Sequence, residues 1–156
     1  MHEATLCYLL KDNKILLGYK KEGFGKSNYN GFGGKVKPHE TIEEASLREV
    51  NEEIGVTATL QDLTKVGKLT FYFPHKPEWN QIVHIYLLRK WNGIPQESNE
   101  MIPKWFDTSN IPYNQMWPDD LYWLPLVLKG KGIEASFTFS PDHKSVLHYS
   151  LKELNL

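Results

Sequence analysis

Residues 33–56 read GGKVKPHETIEEASLREVNEEIGV and constrain the chain more than any other stretch. Thr41 and Glu44 form a T-x-x-E capping box, and Gly55 is a natural stop, so the spacing predicts a helix from Thr41 to about Glu53. At about 100° per residue, Leu47, Val50 and Ile54 fall on one stripe that should face a core. Glu49, Glu52 and Glu53 lie within an arc of about 100°, turned away from that stripe. For a plain structural helix this is a poor arrangement. Like charges at i, i+3 and i+4 repel by roughly 0.2–0.5 kcal/mol per pair, and acids in a last turn meet the negative end of the helix dipole. A solvated acidic face is the simple explanation, and the flanking residues argue against it.

Immediately before the helix, EGFGKSNYNGFGG (residues 22–34) carries five glycines in thirteen residues and must be loop. Its NGFGGK end lets backbone groups approach a ligand closely. Clustered carboxylates offer only hard oxygens, which favour Mg²⁺ or Mn²⁺ over zinc or copper. Mg²⁺ commonly bridges a few carboxylates to phosphate oxygens. Arg48, beside Glu52, is able to orient that carboxylate or touch phosphate.

The rest of the chain alternates strand and turn signals. ATLCYLL and KILLGYKK read as strands joined by KDN. KVGKLTFYF is a strand with Leu69, Phe71 and Phe73 on one face and Thr70 and Tyr72 on the other. QIVHIYLLRKW and IPKWFD read as further strands. WPDDLYWLPLVLKGKG reads as a second helix with Pro118 at its first position and Gly130 near its end. EASFTFS and SVLHYSL close as a hairpin around PDHK. This order predicts one α+β domain over residues 1–156, with helices on a mixed sheet.

Composition narrows the function. A net charge of −1 with mixed signs excludes a long nucleic acid partner or a membrane surface. The first residues are too soon interrupted by charge for a signal peptide or span. The single cysteine, Cys7, lies in an apolar run, which fits a buried thiol in the cytoplasm. Five Trp, eight Tyr and seven Phe supply both a core and stacking faces for a flat ligand.

Gly34, Glu40 and REVNEEIGV (Arg48–Val56) together resemble the Nudix box, G-x5-E-x7-R-E-U-x-E-E-x-G-U with U aliphatic, at every required position. KKEGFG, NGFGGK, ESNEM and MWPDDLYW extend the resemblance to the MutT-type branch, in particular the animal oxidised purine nucleoside triphosphatases. That resemblance implies a Nudix fold, a mixed sheet between helices. It implies Mg²⁺-dependent hydrolysis of 8-oxo-dGTP and 2-hydroxy-dATP to monophosphate and pyrophosphate by a monomer. The alternatives are the same chemistry on unmodified or methylated nucleotides, dinucleoside polyphosphates or capped RNA, and a nucleotide-binding regulator without catalysis, which should lack a metal glutamate where this chain has them all. It assigns Glu49, Glu52, Glu53, the distant Glu100 and the Gly33 carbonyl to the metal, with Arg48 among the catalytic group. Glu52 or Glu100 takes the proton from the attacking water. Lys20 and the backbone from Phe32 through Gly33 and Gly34 to Lys35 line the triphosphate and sugar. Trp117, Pro118, Asp119 and Asp120, with Thr5, Phe24, Asn30 and Phe71, form the purine pocket, Trp117 and Phe24 sandwiching the ring.

The residues supply a physical reason for the pocket: two adjacent carboxylates resist double ionisation and share one proton, so one accepts from a guanine edge while the other donates to it. Asn replacement of either should then cost kcat/KM about tenfold or more. Three positions depart from the family pattern. His39 stands where glycine is usual, Gln81 where the relatives carry an apolar residue, and Tyr29 where they carry tryptophan.

Overall fold

The structure, a computed structural model, describes all residues 1–156. Eight strands form one mixed sheet: β1 (His2–Lys11), β2 (Lys14–Lys20), β3 (Tyr29–Asn30), β4 (Leu63–Tyr72), β5 (Gln81–Leu88), β6 (Met101–Asp107), β7 (Gly132–Phe139) and β8 (Val146–Leu154). The order is β3-β2-β1-β5-β4-β7-β8, with β6 on β2. β1–β5 and β4–β7 run parallel, and the other pairs are antiparallel. The short strand β3 lies within the segment expected to be all loop, and β5 ends before Arg89, earlier than its apolar run suggests.

Strand alternation sorts the core onto two faces. Tyr8, Ile85, Leu69 and Phe137 pack with Trp123, Leu124 and Val127 of α2 (Asp120–Leu128). Cys7, Leu9, Leu16 and Tyr86 pack with Val50 and Ile54 of α1 (Ile42–Ile54). The sheet is therefore sandwiched between helices. No helix is long and apolar enough to cross a membrane.

The caps of α1 form as its sequence dictates. Thr41 Oγ1 accepts the Glu44 N–H at 3.1 Å, Glu44 Oε1 accepts the Thr41 N–H at 2.8 Å, and Gly55 turns left-handed at φ 74°. The buried stripe differs from the expected one: Ser46, Val50, Glu53 and Ile54 are buried, while Leu47 is only half-buried and joins neither core. Glu53 thus faces inward. Helix α2 also starts later than expected. Pro118 precedes it in a turn closed by the Asp120 N–H donating to the Trp117 carbonyl at 3.1 Å, so proline is not its first helical residue. Pro125 stands inside α2 without a donor N–H, and burial of Trp123, Leu124 and Val127 holds the helix regardless.

One local device places the site. β1 and β2 pair only near their turn, from Leu9–Lys11 to Lys14–Leu16. Nearer its N-terminus, β1 is edged by the glycine loop. Cys7 N–H donates to the Phe32 carbonyl at 2.6 Å, Thr5 N–H to that of Gly34 at 2.9 Å, and Val36 N–H to that of Glu3 at 3.0 Å. A Cβ on Gly33 would lie 1.7 Å from the Thr5 oxygen, and one on Gly34 2.7 Å from the Glu49 carboxyl carbon. Only glycines let this loop lie flat between β1 and α1.

His39 adopts φ 69° in the turn before α1. A left-handed residue with a Cβ costs about 1–2 kcal/mol, partly offset by the extra freedom glycine has when unfolded. His39→Gly is expected to stabilise the protein by about 0.5–1 kcal/mol, raising Tm by roughly 1–4 °C in a thermal melt.

Candidate active site

A cavity of about 270 Å³ opens at the sheet end where β1 and β5 begin and β2 and β4 finish. Its lining brings together Thr5, Lys20, Phe24, Asn30, Gly33, Gly34, Lys35, Glu53, Phe71, Trp117, Asp119 and Asp120, residues scattered through the sequence. One end is bordered by the acidic helix face, and the aspartate pair lines the other.

At the acidic end, Arg48 is the organiser. Its Nε and Nη2 grip both oxygens of Glu40 at 3.0 and 2.7 Å, Nη1 reaches Glu49 at 2.9 Å and Glu52 at 3.3 Å, and Nη2 also donates to the Lys35 carbonyl at 3.1 Å. With its guanidinium so engaged, Arg48 positions carboxylates and is not a group that touches phosphate. Glu40 also accepts the Lys37 N–H at 2.7 Å, and the Arg48 bond, with that N–H, holds its carboxyl down at about 2.

Glu53 is 4% exposed and accepts the Gly33 N–H at 2.7 Å. Burial pushes its carboxyl up to about 8, with the negative charge of Glu49 adding to the rise. Glu49 is raised by burial as well, against the pull of Arg48, while Glu52 stays exposed. Glu100, on the loop before β6, lies within electrostatic reach of both Glu49 and Glu53 and adds to the rise of each. Lys20 opposes the rise at Glu53.

The donors fit a hard divalent cation: four carboxylates and the Gly33 carbonyl, which accepts no hydrogen bond from the protein. The side chains do not converge on one point here, because Arg48 holds Glu49 and Glu52 while the Gly33 N–H holds Glu53. A cation entering this face competes with those bonds.

At the other end Asp119 and Asp120 are 2% and 4% exposed. Asp119 Oδ2 accepts the indole N–H of Trp123 at 2.8 Å, a donor that favours its ionised form, yet burial raises it to about 6. Asp120 has no side-chain donor, only a backbone bond at Trp117 that opposes the rise less strongly than burial drives it. Burial and then the Asp119 charge push it well above the carboxylate range. Buried together and side by side in the chain, the two carboxyls resist double ionisation, and both are raised above the usual carboxylate range. The hydroxyl of Thr5, fully buried in the cavity wall, has no partner in the protein. Asn30 donates one N–H to the Asn28 carbonyl at 3.3 Å.

This pair makes a pH prediction. Carboxyls with raised folded pKa values bind more protons folded than unfolded, so stability is complete below about pH 4 and falls as pH rises towards the folded pKa. For Asp119 the loss is on the order of 3 kcal/mol between about pH 4 and 6. Without metal or nucleotide, Asp119→Asn is expected to gain stability over the parent as pH rises from 4 to 7, measured by urea unfolding. A pH-independent difference would contradict the burial of its charge.

Two expected lining residues lie elsewhere, and a third expectation fails on geometry. Phe32 is fully buried beneath α1, and both its backbone groups are bonded to Cys7, so it contacts no ligand. Pro118 faces a separate surface cleft beside Leu121 and Tyr122. Phe24 and Trp117 cannot sandwich a ring, because their centroids are 5.1 Å apart at 36°, in contact with each other; Phe24 also packs edge-on against Trp79. Sequence reasoning gave no role to Glu40, Trp123, Tyr8, Phe73 or Met101. Trp123 was within reach, since it follows Asp119 by four residues on one helical face. Phe73 continues the apolar face of Leu69 and Phe71.

A mixed sheet between two helices, with a glutamate-bearing helix seated under a glycine loop, defines a class: residues 1–127 match the NUDIX domain, and the chain belongs to the Nudix family. Within it, the chain is 44% identical over 151 residues to a Mus musculus protein named oxidized purine nucleoside triphosphate hydrolase, covering 97% of this chain and 94% of that one. The Danio rerio protein of the same name is 43% identical over 150 residues, covering 96% and 94%. A MutT protein from Bacillus halodurans superposes with a TM-score of 0.85 over 97% of this chain and 98% of its own, at 21% identity, a likeness of fold.

Proposed function

We propose that the protein hydrolyses oxidised purine nucleoside triphosphates, 8-oxo-dGTP and 2-hydroxy-dATP, to monophosphate and pyrophosphate, using Mg²⁺ with Mn²⁺ as a substitute. The observation that carries this reading is a cavity that borders the Nudix acid face at one end and is lined at the other by the buried aspartate pair, Asp119 and Asp120. The names of the mouse and zebrafish relatives support it.

The purine enters edge-first. Asp119, ionised, accepts from an N–H of the base, and Asp120, protonated, donates to an oxo group. Moving the shared proton accommodates the reversed donor and acceptor order of an oxidised adenine edge. Thr5, Asn30 and Gln81 supply further polar contacts, and Phe71 and Trp117 the apolar walls. The triphosphate then extends past Lys20 and Lys35 towards α1. Glu49, Glu53, Glu100 and the Gly33 carbonyl would hold the divalent cation, whose bound chemistry would be neutralisation of phosphate charge and a more acidic water. Glu52, exposed and held at only one oxygen, is able to turn and take the proton, a role that the Glu100 carboxylate, with no bond to the protein, is also free to fill. Arg48 and Glu40 keep the set in register. The substrate is a small free nucleotide and the setting cytoplasmic, consistent with the balanced charge.

Phosphorus NMR of 8-oxo-dGTP turnover tests the reaction. Monophosphate and pyrophosphate are expected in equal amounts with Mg²⁺ and not with chelator. Release of orthophosphate, or no turnover, would refute it.

A further inference from the structure

The loop carrying Glu100 is held by more bonds than its exposed position needs. Lys20 and Lys21, consecutive at the end of β2, divide the work. Lys20 lines the cavity. Lys21 donates from Nζ to the Ser98 carbonyl at 2.8 Å, pairs with the Glu97 carboxylate, and donates its backbone N–H to the Glu100 carbonyl at 2.9 Å. Within the loop, Ser98 Oγ accepts the backbone N–H groups of Glu100 at 3.3 Å and Met101 at 3.2 Å, and Ser98 N–H donates to the Met101 carbonyl at 3.0 Å. Met101 then begins β6, opposite Lys20. The Glu100 carboxylate itself makes no hydrogen bond to the protein, so backbone placement alone aims it.

We propose that Lys21 and Ser98 form a clasp that positions Glu100 over the acid face and ties it to the strand end presenting Lys20. They are positioning residues, and the proposal rests on the reading of Glu100 given above. An exposed lysine–glutamate pair adds little to stability on its own. Misplacing a group that acts on substrate is far costlier, since a shift of about 1 Å can cost two orders of magnitude in rate.

The test places Ser98→Ala and Lys21→Met in the parent and in a Glu100→Gln background. It measures kcat and KM for 8-oxo-dGTP, Mn²⁺ binding to nucleotide-free protein by electron paramagnetic resonance, and unfolding midpoints on the same samples. In the parent, each change is expected to lower kcat roughly tenfold with KM within about twofold. Each should also weaken Mn²⁺ binding in the same direction as Glu100→Gln, with little change in midpoint. In the Glu100→Gln background neither should cost anything further, and Ser98→Thr should restore the parent values. Equal losses in both backgrounds, or full kcat in both clasp variants while Glu100→Gln is impaired, would overturn the clasp. Full activity of Glu100→Gln itself would remove the reading of that acid and the proposal with it.

Discussion

Glu53→Gln is expected to lose about three orders of magnitude in kcat while becoming more stable than the parent. The first effect follows from its place: a carboxylate lining the cavity beside the glycine loop, within electrostatic reach of Glu49, Glu100 and Lys20. Removing one negative ligand from a cation site is worth several kcal/mol of transition-state stabilisation, and three decades correspond to about 4 kcal/mol. The second effect follows from burial. The folded protein pushes this carboxyl up to about 8, so near pH 7 it takes up a proton that the unfolded chain does not hold. A neutral glutamine avoids that cost and still accepts the Gly33 N–H through its carbonyl. The gain is about 3 kcal/mol, or roughly 6–12 °C in Tm for metal-free protein at neutral pH. Kinetics and a thermal melt on one sample read both. Activity retained would place the cation elsewhere, and a lowered midpoint would contradict the desolvated carboxylate.

The aspartate pair makes the second large prediction: adjacency alone leads to a similar loss for either asparagine variant, whereas the fold, by fixing one oxygen of Asp119 alone on Trp123, leads to unequal ones. Trp123 N–H holds one oxygen of Asp119 at 2.8 Å. In Asp119→Asn that donor fixes the amide carbonyl and turns the NH₂ towards the cavity, placing a donor where the base expects an acceptor. A desolvated mismatch of this kind costs about 1–3 kcal/mol, so kcat/KM for 8-oxo-dGTP should fall roughly 10–100-fold. In the proposed reading Asp120 is the protonated partner, and asparagine resembles a neutral acid in offering both a donor and an acceptor. Asp120→Asn should therefore keep most of its activity on 8-oxo-dGTP and lose it selectively on 2-hydroxy-dATP, which needs the proton to move. Steady-state kinetics of both variants on both substrates checks this. Equal losses for both variants on both substrates would contradict the assignment of the proton.

What the sequence makes legible is whatever depends on short-range spacing. The caps of α1, the alternation of β4 and the Nudix box all lie within one element or its immediate flanks. Glu53 shows where that reading stops. Helical phase turns it away from Leu47, yet the glycine loop, stitched to β1 by bonds from Thr5 and Cys7, closes over that flank and buries it. Phe32 misleads for the same reason: it belongs to the glycine motif, but its backbone is consumed by β1 and its ring by the core under α1. The link from Arg48 to Glu40 spans the turn and start of a helix and needs the fold to be seen. At the base end, WPDD announced an acidic helix start. That its acids face inward depends on Tyr8, Trp123 and the sheet. The Phe24–Trp117 contact depends on a loop whose Gly23, Gly25 and Ser27 all take positive φ, a path no periodicity encodes.

The central claim is that this cavity selects an oxidised purine for hydrolysis at the neighbouring acid face. It is tested most directly by comparing kcat/KM for 8-oxo-dGTP and dGTP at equal Mg²⁺. A preference for 8-oxo-dGTP of about tenfold or more is predicted, because oxidation adds an N7–H donor and an 8-oxo acceptor to the base. One further bond to a group lining the cavity, such as the unpartnered Thr5 hydroxyl, is worth that much in a desolvated site. Equal values, or a preference for dGTP, would contradict it.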